Sequence, residues 1–132
     1  SGTYGQAMRG AYTPSKAGII GLTSLTAVEW GGRGIRGNAI SPGMISTPAH
    51  VEAYSNEELK TASEDMIPLG QIGDGNDIAD VVVFLASDAA RYINGANIPV
   101  DGGVTKALLA LMPVPTANGE IETTLAQLGL RE

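Results

Sequence analysis

A tyrosine and a lysine stand four residues apart near the start of the chain, in the segment Tyr12-Thr13-Pro14-Ser15-Lys16. On an α-helix, side chains at this spacing share one face. An ammonium about 4 Å from a phenolate attracts it by about 4 kcal/mol at an effective dielectric constant of about 20. A phenol in that setting transfers protons near neutral pH, as carbonyl reduction or alcohol oxidation requires. The pair predicts a general acid/base, although it also suits an ordinary surface helix.

A second candidate site follows a predicted buried strand, Ile35 to Ser41, which runs into Pro42-Gly43. In open α/β sheets, ligands bind just beyond the carboxyl ends of the strands. Gly43 allows the backbone to approach a planar ligand, and the Ile45 backbone and the Thr47 hydroxyl offer hydrogen bonds that match an amide. The alternative interpretation is a plain strand exit in which Thr47 caps a short helix.

Two elements are needed to position these residues. A helix is predicted from Ala11 to Trp30, because small and apolar residues recur there at helical spacing. Gly18 and Gly21 inside it cost helix stability, so we expect them to admit the close approach of another element. The strand from Ile35 to Ser41 has a predicted partner at Ala96 to Val100, where an internal proline favours a sheet edge.

Two more helices are predicted between the strands. Ser55 to Glu58 matches a capping box for the first, and Asn76 or Asp77 caps the second. The positions expected to face inward are Leu59, Ala62, Met66 and Ile67 in the first helix and Ile78, Val81, Val82 and Leu85 in the second. The tail after Thr105 is expected to hold one last amphipathic helix, through Ile121, Thr124, Leu125 and Leu128.

The order helix, strand, helix, helix, strand indicates the α/β class. Two strands fall short of a complete open α/β sheet, which normally has about five or more. The segment therefore looks like part of a doubly wound parallel sheet.

Composition excludes several kinds of function. The net charge of −6, without a basic stripe, argues against nucleic acid and against an anionic membrane surface. The 132 residues include no cysteine and a single histidine, His50, so no metal site is predicted. The apolar runs are too short to span a bilayer and no signal segment opens the chain, so we expect a cytoplasmic protein.

Several motifs together resemble the short-chain dehydrogenase/reductases. They are Tyr12-x-x-Ser15-Lys16-Ala17-Gly18, Asn38-x-Ile40-x-Pro42-Gly43-x-Ile45-x-Thr47-Pro48, Pro68-Leu69-Gly70, Asp77-Ile78-Ala79, Phe84-Leu85-Ala86-Ser87-Asp88 and Ile98-Pro99-Val100-Asp101-Gly102-Gly103. Their order and gaps match the family over about residues 1–105. This resemblance implies that residues 1–105 form the C-terminal half of the family's Rossmann domain and that residues 106–132 are a tail.

The resemblance also implies roles for individual residues. Tyr12 would be the general acid/base at the substrate oxygen, and Lys16 would bind the nicotinamide ribose and assist the tyrosine. The cofactor, NAD or NADP, would be bound by Tyr12, Lys16, Pro42, Gly43, Ile45 and Thr47, with Ile45 and Thr47 at the carboxamide. The implied enzyme interconverts a secondary alcohol and a ketone by hydride transfer. The segment from Thr47 to about Gly70 would be a substrate lid.

Other features of the resemblance concern the subunits and the missing half. The helix from Asp77 and the strand at Ile98 would form contacts in a homodimer or homotetramer. The family's glycine-rich cofactor turn is absent from this sequence, and its catalytic serine would fall just upstream of Ser1. We therefore expect a fragment, and the alternative function is an inactive subunit-association module. Asp101 suits either an acid catalyst or a turn former beside Gly102-Gly103.

Overall fold

A computed structural model of the protein describes residues 2–48, 53–107, 112–115, 117 and 121–123. The helices are α1 (Tyr12–Trp30), α2 (Glu57–Asp65) and α3 (Gly75–Ala86), and the strands are β1 (Ala39–Pro42), β2 (Asn97–Val100), β3 (Pro113–Pro115) and β4 (Ile121–Thr123). β1 and β2 pair in parallel, with Ile40 beside Ile98, whereas β3 and β4 pair antiparallel. The parallel pair and its crossover helices confirm the α/β class.

The chain divides into two compact units. The first comprises Ser1–Pro42 and Asn76–Val100, and so holds α1, β1, nearly all of α3, and β2. The second comprises Gly43–Gly75 and Asp101–Glu132, and holds α2, β3 and β4.

Helix α1 of the first unit begins at Tyr12, one residue after the predicted start. Pro14 lies in its first turn, where the missing N–H would have no partner within the helix. Four of its large apolar side chains are at least half exposed, namely Ile19, Leu22, Leu25 and Val28. A helix that is apolar all round is normally buried within a larger fold.

The glycines that admit close packing against α1 are not the predicted ones. Among the described residues, nothing lies within 4 Å of a Cβ built on Gly18 or Gly21. Instead, a Cβ on Gly37 would stand 3.1 Å from the Thr26 methyl carbon. The glycine that permits close packing is therefore Gly37, in the segment before β1 that contacts the helix, and not a glycine of α1 itself.

Strand β1 begins at Ala39 rather than at Ile35. The residues before Ala39 are held mainly by hydrogen bonds from side chains instead of by regular strand pairing. The Arg36 guanidinium donates to the carbonyl of Leu85 at 2.6 Å and to that of Ile93 at 3.2 Å. The first of these carbonyls lies in the last turn of α3, where the helix dipole favours a cation.

Asn38 completes this connection between the two strands. Its amide donates to the Ile93 carbonyl at 2.9 Å, and its side-chain oxygen accepts from the Ala96 N–H at 3.0 Å. A backbone bond from Gly95 to the Gly37 carbonyl lies alongside, at 2.7 Å. These bonds fix the entry to both β1 and β2, which itself begins at Asn97.

Helix α2 of the second unit is capped by Asn56, whose side chain accepts from the Leu59 N–H at 3.1 Å. The predicted capping box began one residue earlier, at Ser55. Of the predicted inward stripe, only Ile67 is buried, at 2% exposed, and it lies after the helix because α2 ends at Asp65. Leu59 and Met66 are nearly half exposed, and the buried residue within α2 is Ser63.

Helix α3 begins at Gly75, slightly before the predicted caps, and turns Ile78, Val81 and Leu85 partly inward as expected. Val82 was expected inside but is 50% exposed. Ile121 lies in β4 rather than in the predicted last helix, whose remaining positions, Thr124, Leu125 and Leu128, fall outside the described residues. No helix in the described part of the chain is both long and apolar enough to cross a membrane.

Candidate functional site

The predicted site residues fall in both units. Tyr12, Lys16 and Pro42 belong to the first unit, and Gly43, Ile45 and Thr47 belong to the second. His50, the single histidine, and Ser1 lie outside the described residues.

Tyr12 and Lys16 lie together on one face of α1. The Nζ atom of Lys16 stands 5.2 Å from the centroid of the Tyr12 ring, within the range of a cation–π contact. The Tyr12 side chain is half exposed. Such an arrangement leaves the phenol accessible to another molecule, with a positive charge beside its ring.

The backbone around Tyr12 is fixed at the helix start. Its N–H donates to the Arg9 carbonyl at 3.0 Å, and its carbonyl accepts from the Ser15 hydroxyl at 2.7 Å. The serine bond returns to the preceding turn, which is a common use of serine within a helix. Ser15 therefore supports the turn that carries the tyrosine.

Pro42 ends β1, where it pairs with Val100 in the last register position of the sheet. The next residue, Gly43, packs against Asp101: a Cβ built on Gly43 would lie 2.6 Å from the Asp101 Cα and 2.7 Å from its Cβ. Only glycine allows this approach without displacing backbone atoms. The sequence predicted that Gly43 allows a ligand to come near, and the structure adds a protein neighbour that requires the same glycine.

Ile45 forms an isolated parallel bridge with Gly73. The Ser46 N–H donates to the Gly73 carbonyl at 2.8 Å, and the Gly73 N–H donates to the Met44 carbonyl at 3.0 Å. In a parallel bridge of this pattern, the N–H and C=O of the central residue point to the opposite edge. The Ile45 backbone groups are thus directed away from Gly73, as binding of a planar amide requires.

Thr47 is partly buried at the end of this segment. The residues that would continue into the alternative short helix, 49–52, fall outside the described part of the chain. We define residues 43–47, where the sequence predicts cofactor binding, as the cofactor loop.

Asp101 is a turn former in the structure. Its carboxylate accepts hydrogen bonds from the Gly103 N–H at 3.0 Å, the Thr105 N–H at 3.1 Å and the Thr105 hydroxyl at 2.6 Å. Burial acts to raise the pKa of Asp101, but these hydrogen bonds and the charge of Lys106 outweigh it, so the pKa lies below its ordinary value. A carboxylate held ionised in this way is poorly suited to donate a proton.

Sequence reasoning identified the Asp101 turn but missed its contact with the cofactor loop. Gly73 was missed altogether, because one glycine in an irregular stretch carries no signal of the residue that it pairs with. The outward backbone groups of Ile45 fit an amide-bearing ring at the loop, whereas the space beside Gly43 is taken by Asp101. Among the described residues, no cluster of three histidine, aspartate or glutamate side chains could hold a metal ion.

Comparisons with known proteins agree with one another. A sequence profile for the family described as enoyl-(acyl carrier protein) reductase matches residues 1–105. The L-rhamnose-1-dehydrogenase of Scheffersomyces stipitis is 48% identical over 104 residues, which make up 79% of this chain and 40% of that protein. The chain therefore spans about two fifths of the length of the curated relatives it matches.

Solved structures give the same picture. A 4-hydroxyisoleucine dehydrogenase complexed with NADH superposes with a TM-score of 0.76 at 40% identity, over 80% of this chain and 43% of that one. A short chain dehydrogenase family protein from Francisella tularensis subsp. tularensis SCHU S4 gives 0.72 at 31% identity, over 80% of this chain and 47% of that one.

Proposed function

The chain belongs to the short-chain dehydrogenase/reductase family, and on that premise we propose that the complete protein is an NAD(P)-dependent oxidoreductase that interconverts a secondary alcohol and a ketone. Within it, this chain supplies the general acid/base and the loop that binds the nicotinamide. The fragment alone lacks the glycine-rich turn for the cofactor phosphates, so we expect these 132 residues by themselves to be inactive.

The observation that carries this proposal is the contact between Lys16 and Tyr12, 5.2 Å from ammonium to ring centroid. Its position at the exposed start of α1 suits a proton transfer to or from a molecule in solution. An ordinary surface helix would give no reason for this pair to occur with the Pro42-Gly43 exit and the other motifs in register.

In the direction of oxidation, the Tyr12 phenolate accepts the proton from the substrate hydroxyl. The substrate carbon loses a hydride as its C–O bond becomes a carbonyl, and a bound nicotinamide supplies the acceptor for that hydride. Lys16 stabilises the phenolate before the transfer and holds a ribose hydroxyl. In the direction of reduction, the Tyr12 phenol gives its proton to the carbonyl oxygen.

The cofactor loop has a separate task, which is to orient the nicotinamide. Pro42 and Gly43 bring the backbone close to the ring, and the outward backbone groups of Ile45 bind the carboxamide together with Thr47. The bridge from Ile45 to Gly73 supports this role, because it leaves the opposite edge of the loop to a ligand. Binding by backbone groups fixes one face of the ring toward the substrate.

The decisive experiment is the substitution Tyr12→Phe in the complete protein, assayed with a secondary alcohol that the unmodified enzyme oxidises. We expect turnover to fall by at least about a hundredfold, the usual contribution of a general acid/base, while the dissociation constant for NAD(P)H changes little. The matched control is Tyr92→Phe, since Tyr92 is almost fully exposed and lies far along the chain. Undiminished turnover in Tyr12→Phe contradicts the proposed role.

A second candidate is that the chain acts only as an association module. Three consecutive apolar side chains of α3, Val82, Val83 and Phe84, are exposed and favour contact with another subunit. The complete enzyme would then be a homodimer or homotetramer through this helix and β2. Micromolar binding of NAD(P)H by the 132-residue chain, measured by fluorescence titration, would contradict a purely associative role. Absence of binding is expected under both candidates, so the assay of Tyr12→Phe in the complete protein then decides between them.

A further inference from the structure

We propose that Asp101 is a positioning residue that holds the cofactor loop against the end of the substrate lid, so that the two parts of the site move as one. This inference rests on the proposed function, since it gives the loop and the lid the roles stated above. It assigns Asp101 no contact with substrate or cofactor. Its carboxylate acts through the turn from Asp101 to Thr105, here called the closing turn.

The first step is the contact between the closing turn and the cofactor loop. The Asp101 Cα and Cβ fill the space beside Gly43, at 2.6 and 2.7 Å from a Cβ built there, and the Asp101 carbonyl lies 3.1 Å away. Backbone atoms make most of this contact, so the loop has no flexible neighbour to push aside. A displacement of the Asp101 backbone must therefore displace Gly43, the first residue of the cofactor loop.

The second step is what fixes the backbone of Asp101. The carboxylate accepts three hydrogen bonds from Gly103 and Thr105, and it is partly buried. Gly102 and Gly103 have φ values of +59° and +89°, a left-handed conformation that glycine adopts readily and that an unbraced turn leaves easily. The carboxylate therefore selects one conformation from the many that two adjacent glycines allow.

The third step is the contact between the closing turn and the lid. The Leu69 N–H donates to the Gly102 carbonyl at 3.2 Å, and a Cβ on Gly102 would collide with the methyl carbon of Ile67. Ile67 is the most deeply buried large side chain of the described residues. The end of the lid is thus packed on the other side of the same turn.

A second contact, made by Gly73, also holds the cofactor loop in place. Gly73, four residues after Leu69, pairs with Met44 and Ser46 on either side of Ile45. The cofactor loop is therefore held at Gly43 by the closing turn and at Ile45 by the segment that follows the lid. Loosening the closing turn should release both of its neighbours together, because each depends on the position of the other.

The test removes the carboxylate and leaves the Cβ contact in place, with Asp101→Ala. Amide hydrogen exchange of the 132-residue chain is measured residue by residue. We expect exchange at Ser46, Leu69 and Gly73 to accelerate by about tenfold or more, as for a local opening. The amides of Ala39 and Gly95 in the first unit should change by less than about twofold.

Two further variants make the result specific. Asp101→Asn keeps an acceptor for the Gly103 N–H but loses one for Thr105, so its exchange rates should lie between those of the unmodified chain and Asp101→Ala. Asp80→Asn removes the same charge from the exposed face of α3 and should change none of the three amides. Unchanged exchange at Ser46 in Asp101→Ala overturns the proposal, as does acceleration spread evenly over both units.

In the complete protein, the expected signature of Asp101→Ala is a KM for NAD(P)H raised by about tenfold with kcat reduced by less than about threefold. Loss of kcat alone overturns the positioning role. These outcomes are separable from those for Tyr12→Phe. Failure of the tyrosine prediction leaves the exchange result standing, and failure of the exchange result leaves the chemistry at Tyr12 untouched.

Discussion

A Cβ built on Gly43 stands 2.6 Å from the Cα of Asp101, a distance that no side chain movement can relieve. Gly43→Ala must therefore displace backbone, and we expect it to lower the free energy of unfolding of the chain by about 1–3 kcal/mol, the usual cost of overpacking. Urea denaturation followed by circular dichroism measures this change.

The matched control for Gly43→Ala is Gly18→Ala, inside α1. Nothing in the described part of the chain lies within 4 Å of the added methyl group, and alanine favours the helix over glycine. This variant should gain about 0.5–1 kcal/mol of stability. If the two substitutions changed the free energy of unfolding equally, the contact between Gly43 and Asp101 would not contribute to stability.

The lowered pKa of Asp101 leads to a prediction of how the stability of the chain depends on pH. Its pKa in the folded chain lies below the value of about 3.9 expected in the unfolded chain, so its contribution is complete well above that value and is lost as pH falls through the folded pKa. Stability of the unmodified chain should decline between about pH 5 and pH 2, and the decline should be shallower in Asp101→Asn.

The measurement is a set of urea unfolding curves at successive pH values for the unmodified chain, Asp101→Asn and Asp80→Asn. The two aspartate variants differ in whether the lost carboxylate accepts hydrogen bonds in the fold. The prediction is wrong if Asp80→Asn flattens the profile as much as Asp101→Asn does.

Asn38 provides a prediction for the first unit. Its side chain binds both the Ile93 carbonyl and the Ala96 N–H, so Asn38→Ala leaves the partly buried Ala96 N–H without this acceptor and the Ile93 carbonyl with only the Arg36 guanidinium. The expected loss is about 1–3 kcal/mol of unfolding free energy. Asn38→Asp retains the acceptor for Ala96, but at neutral pH its second carboxylate oxygen has no hydrogen to donate to the Ile93 carbonyl, so this variant should be more stable than Asn38→Ala only at acidic pH, where the carboxyl is protonated.

Thermal unfolding of the 132-residue chain at neutral and at acidic pH, monitored by circular dichroism, tests the order of these variants. Gln71→Ala, at an exposed position outside the helices and strands, is the comparison for loss of an amide side chain elsewhere. If Asn38→Asp were as damaging as Asn38→Ala even at acidic pH, the two bonds of the Asn38 side chain would not carry the stabilisation.

The sequence was most informative where a pattern is local. The helix carrying Tyr12 and Lys16 was predicted to within one residue, because helical spacing and the position of Pro14 are both set by neighbours along the chain. The same holds for the exit from β1 at Pro42-Gly43. The contact between Tyr12 and Lys16 follows directly from their four-residue spacing.

Errors arose where distant parts of the chain decide the outcome. The strand expected from Ile35 starts only at Ala39, since the side chains of Arg36 and Asn38 bind backbone groups 49 to 58 positions away. Asp101 was understood as a turn residue, but its neighbour Gly43 lies 58 positions earlier in the sequence. Nothing in either local segment specifies the other, so only the fold reveals that they touch.

The uncovered apolar surface of α1 has a consequence for the life of this polypeptide in a cell. Leu22 and Val28 are more than half exposed, and side chains of this kind are what chaperones and quality-control proteases recognise. How long the chain survives would depend on how soon another polypeptide covers the helix. Its abundance would then report on the supply of that covering partner rather than on its own rate of synthesis.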